Sequence, residues 1–100
     1  MAYDLGLAAR VRELLYEQSG LSERKMFGGI AFMLRGNMVC GVIRDELMVR
    51  VGKEGYADAL AEPHTSEMDL NGRPMTGMIM VAAEGTNDTA QLAHWIEKAV

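Results

Sequence analysis

Apolar positions change period along this chain, and each change marks a new element. Leu7, Val11, Leu14 and Leu15 recur at i, i+4, i+7 and i+8, the spacing of one helix face, which predicts an amphipathic helix over about residues 4–18. Asp4 is placed to cap its start and Ser19-Gly20 to stop it. The period then shortens. Residues 26–34, 37–43 and 46–51 are short apolar runs punctuated by Arg35-Gly36-Asn37 and Arg44-Asp45, which predicts a three-stranded antiparallel meander with tight hairpins. Tyr56, Ala59 and Leu60 form a short helical stripe that Pro63 ends. Asn71-Gly72 is the strongest hairpin turn, because both residues tolerate positive φ, and it joins Glu67–Leu70 to a strand over about 75–82. Pro74 lacks an N–H and belongs at that strand's start or on an edge. Thr86-Asn87-Asp88 offers caps for a last helix whose face is Leu92, Trp95, Ile96 and Ala99.

The predicted order is α-β-β-β-α-β-β-α. No parallel crossover is forced, so the fold class expected is α+β: a two-layer α/β sandwich with a mainly antiparallel five-stranded sheet and its helices on one face. Alternation within the strands divides the sheet. Ile30, Phe32 and Leu34 share parity, as do Leu47, Val49 and Val51, and these bulky sets belong under the helices. The opposite parity holds Ala31 and Met33, then Met48 and Arg50. In the middle strand Met38, Cys40 and Val42 oppose Val39, Gly41 and Ile43, and both sets are apolar.

A sheet with one wet face alternates apolar and polar residues, and this one does not. Its second face reads as small, apolar and rich in methionine, a side chain that adapts to irregular partners. Met33, Met38, Cys40, Val42 and Met48 are therefore a candidate interface, for a homodimer or a protein partner. The competing reading is that a helix or curled strand of the same chain covers them.

Composition narrows the class. One hundred residues make one small domain, residues 1–100, and 49% apolar with 24% charged residues suits a folded one. No apolar run approaches the 18 or so residues that cross a bilayer, so no membrane association is expected. A lone Cys40 excludes an internal disulfide and suits a reducing cytoplasm. A net charge of −4 makes unaided nucleic-acid binding a poor expectation, since phosphate neutralisation needs clustered cations.

Candidate chemistry is sparse. Gly28-Gly29 lacks the following lysine and Ser/Thr of a phosphate loop, and reads better as a bulge or a close backbone approach. Cys40 has no neighbouring cation to activate it and reads as a packed residue. His64 and His94 are isolated, so no metal is expected, and no cofactor either. Asp45, Glu46, Glu67 and Asp69 read as solvated turn charges, and no catalytic set emerges. Lys25, Arg50 and Arg73 are the exceptions. Arg50 interrupts an apolar strand, and a guanidinium there needs a carboxylate, a carbonyl or an anion. If the three converge they make an anion or partner site; internal pairing of Arg50 with Asp69 or Glu67 is the alternative.

Three blocks, Met26-Phe27-Gly28-Gly29, Met48-Val49-Arg50-Val51-Gly52 and Met68-Asp69-Leu70-Asn71-Gly72-Arg73-Pro74-Met75, occur in fixed order. Together they resemble the TfoX (Sxy) N-terminal domain family of bacterial proteins. The resemblance implies a two-layer domain with an antiparallel sheet. It also implies a link to natural competence, in which family members promote transcription of DNA-uptake genes; the full regulators carry a second, C-terminal domain. It offers no catalytic residues. The function expected is thus a non-enzymatic, cytoplasmic, dimeric interaction domain in transcriptional regulation. Small-anion binding and direct nucleic-acid binding are its rivals.

Overall fold

The computed structural model describes residues 3–26, 28–70 and 73–99. Helix α1 runs Leu5–Leu15, followed by strands β1 (Leu21–Met26), β2 (Gly29–Leu34), β3 (Asn37–Ile43) and β4 (Glu46–Arg50). Helix α2 (Gly52–Leu60), strands β5 (Thr65–Leu70) and β6 (Arg73–Val81), a short 3₁₀ turn (Ala83–Gly85) and helix α3 (Thr89–Ala99) complete the chain. All six strands form one antiparallel sheet in the order β1-β2-β3-β4-β6-β5. The α+β class and the antiparallel sheet are as expected. The predicted turn at Asn71-Gly72 lies outside the described residues.

The strand count is corrected from five to six. The strand expected over 26–34 is observed as β2, and the strand not expected is β1, just before it in the chain and paired antiparallel with it; Gly28, between the two, has a φ of 76°. The physical reason is that β1 is an edge strand. Its Ser22, Glu23, Arg24 and Lys25 are exposed, and charged residues on an edge discourage pairing with another chain. A strand built that way carries no apolar alternation to detect.

Ile30, Val42, Leu47 and Val81 form one cross-strand row, and Phe32, Cys40, Val49 and Ile79 another. Both rows face the helices and join Leu7, Val11 and Leu15 of α1, Ala59 of α2, and Leu92, Trp95 and Ile96 of α3 in one core. Asp4 caps α1 as its spacing predicts, accepting hydrogen bonds from the N–H groups of Gly6 (2.8 Å) and Leu7 (3.1 Å). At α3, the Asp88 carboxylate accepts from the Gln91 N–H (2.8 Å) while the Gln91 side-chain oxygen accepts from the Asp88 N–H (3.2 Å). That is a reciprocal capping box, with glutamine at its third helical position.

The second face holds a separate cluster made of strand residues, in which Met48, Met68, Met78 and Met80 are buried and Met38 and Ile43 pack at its margin. Small residues let the long thioethers lie flat. A Cβ on Gly41 would stand 2.6 Å from the Met48 Cε and 2.7 Å from the Ile30 carbonyl oxygen.

Candidate functional site

Cross-strand register decides which side chains meet. Lys25 pairs with Ile30, and two residues before it Glu23 reaches the helix side, where the Arg12 guanidinium of α1 grips its carboxylate, the Nη2–Oε1 bond being 2.8 Å. That contact holds the Glu23 carboxyl below its ordinary range, against the opposing effect of partial burial. The Arg12 guanidinium carbon also stands 5.9 Å from the Phe32 ring centre. Lys25 therefore shares the helix side. Arg50 pairs with Met78, two residues beyond Met48, and projects from the second face. Three strand spacings separate β1 from β4, about 14 Å at the usual 4.8 Å each. Lys25 and Arg50 thus lie far apart on opposite faces and make no common anion site. The side chain of Arg73 lies outside what the structure describes. Glu67 pairs with Ile79 on the helix side, so it is no partner for Arg50.

The five candidate interface residues also divide. Phe32 pairs with Cys40 but Met33 with Met38, which makes Val39 the extra residue of a β-bulge. The bulge shifts parity, so Cys40 and Val42 point into the helix-covered core, both fully buried, rather than sharing a face with Met38. Met33 and Met38 are half-buried on the second face, and Met48 is buried there within the methionine cluster. The second face is accordingly covered over much of its area by its own side chains. Burial pushes the Cys40 thiol up to about 12, which keeps it protonated and inert.

Two histidines that read as isolated line one cleft. Glu62, Pro63, His64, Gln91, His94 and Trp95 line a cleft of about 340 Å³ between the α2–β5 loop and α3. His94 Nε2 lies 2.8 Å from Glu62 Oε1, and Lys98 Nζ 3.8 Å from Glu62 Oε2. His94 also meets Trp95 edge-on, ring centres 5.0 Å apart. The 32-residue gap between Glu62 and His94 carries no local signal that could have joined them. The carboxylate is occupied by two side chains of α3, His94 and Lys98, so the arrangement ties that helix to the loop. Among the described residues no three His, Cys, Asp or Glu side chains are placed to hold a metal ion.

A residue that sequence reasoning passed over is Arg24. It pairs with Ala31, so it projects from the second face, as Arg50 does, while adjacent Lys25 projects from the other. Only a settled register distinguishes the two.

Comparison with curated proteins finds no match. Residues 13–100 match the model of the TfoX N-terminal domain, a span that takes in all six strands and both later helices, and the chain belongs to the TfoX N-terminal domain family.

Proposed function

We propose that this domain is a non-enzymatic interaction module acting through protein contacts in transcriptional regulation, in the manner of competence regulators, and that it works in the cytoplasm as a homodimer. The single observation that carries this reading is the family match over residues 13–100. The placement of the family-like blocks supports it: Met48–Gly52 covers the end of β4 and the start of α2, and the block beginning at Met68 falls on the end of β5 and the start of β6, which pair antiparallel. No helix among the described residues is long and apolar enough to cross a membrane.

The rival reading, a small-anion module, depends on Lys25 and Arg50 acting together. Their placement on opposite faces weighs against it. Deletion of the gene followed by transcript profiling tests the regulatory role; a defined set of transcripts should change, and an unchanged profile under competence-inducing conditions overturns it. Light scattering tests self-association, and a strictly monomeric species at high concentration removes the dimer.

A further inference from the structure

A net charge of −4 does not describe every surface of this domain. The three helices are balanced, with Arg10, Arg12, Lys53 and Lys98 against Glu13, Glu54, Asp58 and Glu97. The second face carries a local positive excess among the described residues. Arg24 and Arg50 project from it and are exposed, and among the described residues neither enters an ion pair. The described acid that shares this face is Glu46, opposite Ile43, and Arg44 already holds it at 2.9 Å. Between the two arginines, half-buried Met33 and Met38 stand directly opposite each other on β2 and β3.

Three strand spacings and two residues along the strand separate Arg24 from Arg50, roughly 16 Å. That is the length of about eleven helical residues. We propose that this face docks an acidic, amphipathic segment of a partner protein, its apolar side chains seated on Met33 and Met38 and its carboxylates on Arg24 and Arg50. The proposal rests on reading the domain as an interaction module. Methionine side chains repack against irregular apolar surfaces, and the guanidinium fork matches a carboxylate. A second copy presenting the same face brings arginine towards arginine, which makes it the poorer occupant. Single-stranded nucleic acid binds sheet faces by stacking bases on aromatic rings, and among the described residues this face carries none.

The test uses the whole chain and a labelled synthetic peptide of about 18 residues, helix-forming, with glutamate on one face and leucine and methionine on the other. A scrambled peptide of equal composition and a labelled oligothymidylate are its comparators, read by fluorescence anisotropy. The amphipathic peptide should bind, more weakly as salt is added. Arg24→Glu with Arg50→Glu should lower the affinity about tenfold, from two exposed pairs turned repulsive. Lys25→Glu, one residue from Arg24 but on the other face, should leave it within about twofold. Equal binding of the scrambled peptide, preference for the oligonucleotide, or indifference to the double reversal overturns the proposal. Partners captured from the native cell by wild type and equally by the double variant would leave the interaction reading intact and sink this surface alone.

Discussion

Gly29 shows how a single position can be legible as a type yet silent about its neighbour. Paired glycines inside an apolar run predict a close backbone approach, and a Cβ on Gly29 would indeed fall 2.1 Å from the Val42 carbonyl oxygen. Backbone cannot move aside as a side chain can. At Gly41 the nearest atom is the mobile end of Met48, with the Ile30 carbonyl oxygen just behind it. Gly41→Ala should therefore cost about 1–3 kcal/mol, the usual range for overpacking, and Gly29→Ala more than that. Urea denaturation of both variants, compared at a common slope, checks the ranking; equal losses would contradict it. Arg24 illustrates the opposite case. Its chemistry is plain from its name, but its face depends on register, and a slip of one residue would exchange it with Lys25.

Elements were legible where their period was strong. The last helix follows from Leu92, Trp95 and Ile96, all of which enter the core. Its start was visible as a cluster of capping residues, among which the structure selects Asp88, paired reciprocally with Gln91. Asp88→Ala should lower global stability by about 1 kcal/mol, the ordinary worth of an N-cap, as a shift in denaturation midpoint; no shift would mean that packing alone holds the helix end. Strand β1 was hidden for the reason given above, since an exposed edge lacks an apolar stripe. The bulge at Val39 was hidden too, because every residue from Met38 to Val42 is apolar or glycine and any register looks acceptable.

Connectivity at the scale of the molecule places β6 between β4 and β5, with α2 crossing over β6 on the way to the far edge. Strand order of this kind follows from how α2 packs, which no local pattern records. Helices α1 and α3 pack on β3, where Cys40 is fully buried and its thiol is pushed up to about 12 by that burial. A thiol raised in the folded state stabilises the fold fully below its unfolded value of about 8.5, and that contribution drains as pH rises towards 12. Native protein should accordingly resist alkylation by iodoacetamide at pH 8 and react at the rate of a free thiol once unfolded in urea. Rapid labelling of native protein at that pH would show that the core opens without global unfolding.

By itself the sequence determined the class of fold, the helices, the inner strands and the family blocks, because periodicity and turn chemistry are local properties written every two to four residues. Tertiary structure alone decided which charges share a surface. It separated Lys25 from Arg50, sent Cys40 and Val42 into the core, folded the methionines over the second face and brought Glu62 to His94. Each outcome depends on register and on chain-distant contact, and neither leaves a mark on neighbouring residues.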